Sequence, residues 1–264
     1  MDEFDEREMI SRLSEALARS VEKNVAGARV GVMFSGGVDS TLLALLAKKF
    51  CAPVLFTVGT ADSEDLRYSE IVACELGLPL EKKILSEKEV IDYAKEVEKM
   101  LGDRELMHVE LGIPILLCCE MARSRNIRVL LNGQGAEELF GGYERHLQAF
   151  LSGEDASALM KGDLEKLPEN DVKRSARIAQ TVGVALRYPF LEKEIVSLAQ
   201  QIPAHMHFSR PKGKKEFLRK VAHALGVPET ARERRKRAAQ YGSGVHRILL
   251  RESKRGARRT KRIC

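Results

Sequence analysis

No stretch of this sequence approaches the roughly 18 consecutive apolar residues that a membrane span needs, and its opening, MDEFDEREMI, is acidic where a secretory leader is basic. Both absences set the expectation of a cytoplasmic protein with no membrane partner. The five cysteines (Cys51, Cys74, Cys118, Cys119 and Cys264) are odd in number, adjacent or scattered, and never spaced as CxxC. That excludes a disulfide framework and a zinc site, and leaves most of them to be small buried apolar residues. Internal repeats and extended low-complexity segments are also missing, which removes solenoids and long linkers.

What is present is a chain of 264 residues with 44% hydrophobic content, enough to bury a core as one large domain or two small ones. Its charge is unevenly spread. Residues 207–264 hold 19 Lys/Arg against 4 Asp/Glu (+15), which leaves 25 against 34 (−9) for residues 1–206 and a net +6. A basic third of this kind suits nucleotide phosphates or a nucleic acid, whereas the run KRGARRTKRIC at 254–264 reads more simply as a solvated tail.

Hydrophobic periodicity predicts a lead-in helix over residues 5–25, through Met9, Leu13, Leu17 and Val21, followed by alternating strands and helices. The strands are expected at 29–34, 53–58, 80–84 and 128–132, the helices at 40–50, 66–76, 86–100 and 113–125. This alternation predicts an α/β fold, a parallel sheet with helices on both faces. Beyond residue 153 the helical runs at 174–181 and 214–225 are broken by prolines, which predicts a helical C-terminal region. The expected organisation is a helix at 1–28, a sheet core at 29–150, a helical part at 151–253 and a basic tail at 254–264.

The strand RVGVMF runs straight into SGGVDST (35–41), and an apolar helix follows at once. Gly36 and Gly37 allow a tight turn whose N–H groups face phosphate oxygens, while Ser35, Ser40 and Thr41 add hydroxyl donors at the positive end of the helix. Asp39, expected on an exposed loop, would repel phosphate unless a cation lies between them, which suggests Mg²⁺. The lysine of a Walker A loop is absent. A lone glycine turn capped by Ser40 or Asp39 is the plain alternative, and the strand–loop–helix context is what favours phosphate. A second glycine-rich loop, GQGAEELFGGYERH (133–146), follows the strand RVLLN at the sheet edge where open α/β folds bind ligands. Taken alone, Glu137 and Glu138 read as a solvated helix start, and Phe140 and Tyr143 as packing residues.

SGGVDST resembles the SGGxDS loop of the ATP-pyrophosphatase (PP-loop) superfamily. The second loop resembles the GxGxDExFGGY segment of asparagine synthetases and β-lactam synthetases, with Gly133, Gly135, Glu138, Phe140, Gly141, Gly142 and Tyr143 matching. The likeness continues through GVALRYPFLEKEIVSLAQQIP (183–203) and KKEFLRK (214–220). It implies an enzyme, an ATP-dependent ligase that adenylates a carboxylate, aspartate foremost, releases pyrophosphate and gives the acyl group to ammonia or an amine. ATP and pyrophosphate would lie on Met33, Ser35, Gly36, Gly37, Asp39, Ser40, Thr41, Val58 and Gly133, with Mg²⁺ on Asp39 and Glu137. Lys236, six residues before Gly242, matches the family lysine that meets the adenylation transition state, and Glu138 and Gln134 complete the implied catalytic set.

Two positions depart from the pattern. Glu137 stands where the family usually has aspartate, and Gln134 stands where asparagine synthetases often have glutamate, a change that removes a base. Arg187 reads equally as part of the site wall or as a structural ion-pair partner. Only 34 residues precede the phosphate loop, too few for the glutaminase domain of such synthetases. The expected nitrogen source is therefore free ammonia, a separate glutaminase subunit or another amine. Two rival readings stay open: a PP-loop tRNA- or nucleotide-modifying enzyme, for which nucleic acid would be a partner, and a non-catalytic ATP-binding subunit.

Overall fold

In a computed structural model the chain is described over residues 4–209, 213–234 and 239–260, without the side chains of 239–240 and 255–260. Its centre is a parallel sheet of β1 (Val30–Met33), β2 (Val54–Thr60), β3 (Leu80–Leu85), β4 (Val129–Leu131) and β5 (Ala185–Arg187), in the order β3-β2-β1-β4-β5. Every neighbouring pair is parallel, with Gly31 opposite both Val54 and Leu130. The helices are α1 (Glu6–Val25), α2 (Val38–Ala47), α3 (Glu64–Leu76), α4 (Glu87–Leu101), α5 (Leu106–Ser124), α6 (Ala136–Leu139) and α7 (Glu144–Ser152). They continue as α8 (Ala156–Lys166), α9 (Lys173–Val182), α10 (Lys193–Ala199), α11 (Glu216–Ala224), α12 (Glu229–Glu233), α13 (Ala239–Gly242) and α14 (Val245–Thr260).

The alternation of the strands sorts their side chains onto two faces. Val30, Val32, Leu55, Val129 and Leu131 meet α1, α2, α10 and α11 on one side, whereas Phe56, Val58 and Leu130 meet α4, α5, α9 and α14 on the other. The helix α1 forms where the periodicity predicts. Asp5 caps it by accepting from the N–H groups of Arg7 and Glu8, and Met9, Leu13, Leu17 and Val21 are buried along one stripe. Each such side chain contributes about 1.5–3 kcal/mol by leaving water. At α4 a capping box of Ser86 and Glu89 starts the helix, and Gly102 at φ +66° ends it.

Three features differ from the expectations. The helix expected from residue 113 begins at Leu106, with Pro114 inside it, because Val109, Glu110, Gly112 and Ile113 are all buried and packing outweighs the proline's missing donor. The part expected to be helical supplies β5, a three-residue edge strand held by Ala185 N–H to Arg128 O (2.8 Å) and by Asn132 N–H to Arg187 O (2.9 Å). The described cysteines also divide, Cys264 lying outside the described residues: Cys118 and Cys119 are buried, Cys51 is half-buried and Cys74 is exposed. Burial pushes the Cys119 thiol up to about 12, so it stays an inert apolar group.

The strand order reverses between β1 and β4, the point at which open α/β folds bind ligands beyond the carboxyl ends of the strands. The phosphate loop follows β1 and the second glycine loop follows β4. At the chain's other end α14 packs Val245, Ile248 and Leu249 into the second face. Among the described residues no helix is long and apolar enough to cross a membrane.

Candidate active site

The phosphate loop is a tight turn against α3. Gly36 adopts φ +70°, and a Cβ there would come within 2.6 Å of the Tyr68 carbonyl carbon and 2.7 Å of its oxygen. Only glycine satisfies both conditions. Ser40 Oγ donates to Gly37 O (3.3 Å) and accepts from Ser35 N–H (3.3 Å), so the serines hold the turn from inside. Gly37 caps α2 without a side-chain hydrogen bond, so no capping side chain competes for the first-turn N–H groups of that helix. Thr41 is fully buried and its hydroxyl has no hydrogen-bond partner among the described residues.

The second loop closes on the first. A Cβ on Gly133 would meet Asp39 Cβ at 3.4 Å, so the two loops are within one atom's width of each other. This contact corrects the expectation that Asp39 is exposed: it is 4% exposed, covered by the second loop and by Lys215. Lys215, itself 6% exposed, places Nζ 2.7 Å from Asp39 Oδ2 and 2.8 Å from Glu137 Oε1. Burial alone would lower its pKa, but the fields of Asp39 and Glu137, with their hydrogen bonds, hold it above the usual lysine value. Gly142 makes room for this pair, because a Cβ there would run into Glu137 Oε2 and Lys215 Cε.

Gln134 and Glu138 are engaged elsewhere. Gln134 Oε1 accepts from Ser175 Oγ (3.0 Å), which also meets the Tyr188 hydroxyl (2.8 Å), so the glutamine ties the second loop to α9. Glu138 is 4% exposed and accepts from Tyr143 OH at 2.5 Å. Burial raises its carboxyl above the ordinary range even though the tyrosine opposes that shift. Met33, which accepts from Asn132 Nδ2 at 3.5 Å, ends β1 beneath the loop, and Val58 lies buried on β2. The Arg187 guanidinium donates to the Asn24 carbonyl, joining β5 to the end of α1. Lys236 lies outside the described residues.

Residues of the C-terminal segment and of α3 complete the surroundings. Arg234, 4% exposed, donates through Nη2 to Asp65 Oδ1 (2.5 Å) and through Nη1 to Ser35 O of the phosphate loop, and stacks over Tyr68 with its Cζ 4.4 Å from the ring centroid. Gly242 lies against the same Asp65 carboxylate, and Ser243 O accepts from Thr60 N–H at 2.9 Å. The C-terminal segment is therefore fastened to the loop side of the sheet on either side of residues 235–238. Nothing local distinguishes Arg234 within RERRKR or Lys215 within KKEFLRK. Each looks like one solvated charge among several.

A tight glycine loop, a helix N-terminus and two acidic residues converging on one ammonium are the kinds of group that could hold a polyphosphate and a divalent metal. The model of the family described as asparagine synthase matches residues 12–161 and 149–261. The chain belongs to the asparagine synthase family. "Putative asparagine synthetase (glutamine-hydrolyzing) 1" of Methanocaldococcus jannaschii is 37% identical over all of this chain and 55% of its own length. Asparagine synthetase B (glutamine-hydrolyzing) of Escherichia coli is 27% identical over 89% of this chain and 45% of its own. The chain thus spans about half the length of these family members. Among solved structures, NMN synthetase from Francisella tularensis superposes with a TM-score of 0.48 at 13% identity, covering 90% of this chain and 78% of the other.

Proposed function

We propose that this chain carries the ATP-dependent synthetase activity of its family: it adenylates a carboxylate, aspartate foremost, releases pyrophosphate, and passes the acyl group to ammonia or an amine. The observation that carries the reading is the meeting of Asp39 and Glu137 around a single cation position beside the phosphate loop. Two carboxylate oxygens facing one point are a hard-oxygen donor set, and they fit Mg²⁺. Bound there, the ion would offset phosphate charge and orient the departing pyrophosphate. Glutamate at 137 reaches this point as aspartate would, with one more methylene.

The chain's own groups divide the remaining work. Ser35, Gly36, Gly37, Ser40 and Thr41 offer N–H and hydroxyl donors to the β and γ phosphates, and no lysine on this loop favours a break between them. Met33, Val58 and Gly133 bound the nucleotide from the strand ends. Lys236 supplies positive charge where the α-phosphate becomes pentacoordinate. Gln134 stands in the wall of the acyl site as a hydrogen-bonding group, not a base, and Glu138 fixes the second loop through Tyr143. Nitrogen reaches the acyl-adenylate as ammonia, free or handed over by a glutaminase, or as the amine of another substrate.

The test is amino-acid-dependent exchange of labelled pyrophosphate into ATP across the common amino acids, with bulk tRNA as a further acceptor. Aspartate should give the fastest exchange, with AMP and pyrophosphate as the products of full turnover. Primary release of ADP and orthophosphate would overturn adenylation, and exchange that depends on tRNA would move the substrate class to RNA.

A further inference from the structure

Lys215 stands between the two carboxylates that the proposed function gives to the metal, and its backbone is one of only two non-glycine positive-φ positions among the described residues, at φ +59°. The arrangement is built from several sides. The residue caps α11 in the left-handed region, its side chain is buried, and Gly142 is cut back to glycine where the Glu137–Lys215 pair passes. An ammonium with charge-assisted bonds of 2.7 and 2.8 Å to Asp39 and Glu137 lies where a cation bridging these carboxylates would lie.

We infer that Lys215 is the resident counter-ion of the metal site and makes metal binding depend on nucleotide; this rests on the assignment of Asp39 and Glu137 as metal ligands. The ammonium already meets both carboxylates, that of buried Asp39 and that of half-buried Glu137. A bare divalent ion must either push the ammonium out of two charge-assisted bonds or settle beside it as a like charge, and both are opposed in low dielectric. A metal arriving on a triphosphate brings oxygens whose negative charge offsets both cations, and those oxygens give the displaced ammonium new acceptors. The order of binding is then written into the side chains: the carboxylates are held apart from free metal until ATP comes with it.

Equilibrium dialysis with Mn²⁺ as the probe tests this, using wild type, Lys215→Met and Asp39→Asn, each with and without an ATP analogue bearing a methylene between the α and β phosphorus atoms. Wild type should retain one Mn²⁺ per chain only with the analogue. Lys215→Met should retain Mn²⁺ without nucleotide at least about tenfold more tightly than wild type, and Asp39→Asn should lose the uptake, which ties it to this site. Should Lys215→Met fail to fold, the wild-type arm decides alone. Uptake by wild type that is equal with and without the analogue, and lost in Asp39→Asn, overturns the role of Lys215 while leaving the metal ligands in place. Uptake by neither protein under either condition takes down the ligand assignment and this inference together.

Discussion

Asp39 is held by a lysine inside the protein, so replacing it changes two things at once. Asp39→Asn leaves the Lys215 ammonium with Glu137 as its full counter-charge among the described residues and removes half of the proposed metal donor set. Magnesium-dependent pyrophosphate release should fall by about a hundredfold or more, and the variant should also unfold at lower denaturant concentration than wild type, since a buried pair is broken. Full turnover in the variant would remove Asp39 from the metal site. Lys236 acts on charge that develops only in the transition state, so its loss should appear in kcat more than in ATP affinity. If one charge-assisted contact supplies roughly 3 kcal/mol, Lys236→Ala slows adenylation on the order of a hundredfold. Arg237→Ala, which removes the same net charge, should cost much less. Equal losses in single-turnover adenylation by the two variants would reduce Lys236 to one member of a phosphate-attracting patch.

At the scale of elements, the short turn Ala204–His207 is pinned by aromatic edges, with His207 against Phe140, Phe208 and Phe217. His207 is 1% exposed, and burial, with smaller contributions from the fields of His146 and His205, lowers its pKa to about 4. A folded-state value below the ordinary 6.5 means that the unfolded chain binds the proton more readily. Stability from this group is therefore full above about pH 6.5 and is lost as pH falls toward 4, by roughly 2–3 kcal/mol at pH 4.5. Urea midpoints at pH 7 and pH 4.5 check it. His207→Phe keeps the ring and removes the titration, so it should lose less stability over that interval than wild type. An identical loss in both would mean that the imidazole does not titrate as its burial dictates.

Across the whole molecule, the site is assembled from segments far apart in the chain, and the Arg234–Asp65 pair is one fastening between them. It joins residues 169 positions apart, links the C-terminal segment to α3 and reaches the phosphate loop through Ser35 O. Both side chains are at least 94% buried, at 1% and 6% exposure. Removing the cation takes a charge-assisted contact from a buried carboxylate, and Arg234→Met should therefore destabilise the protein by roughly 3–5 kcal/mol. Arg234→Lys should recover only part of this, because an ammonium cannot make the forked contacts to Asp65 and Ser35 or stack on Tyr68 in the same way. Adding Asp65→Asn to Arg234→Met should restore part of the loss in a denaturant series. Additive losses would show that the two side chains are not coupled.

The order of strands and helices, the phosphate loop, the second glycine loop and the family itself were all determined by the sequence, because each depends on local rules. Side chains alternate every two residues in a strand and recur every three to four in a helix, and Gly36 is demanded by its own φ. The tertiary structure alone decided which charges are buried. Lys214 and Lys215 are neighbours of one type, yet Lys215 meets Asp39 across 176 positions and Lys214 meets Glu144 at the surface. Glu137 and Glu138 likewise differ by one residue on a single turn of helix, one turned to Lys215 and the other to Tyr143. Ala185–Arg187 is a strand only because the edge of β4 stands open beside it. Such outcomes follow from long-range packing and from the cost of leaving a buried charge without its counter-ion, and neither is written in a short window of sequence.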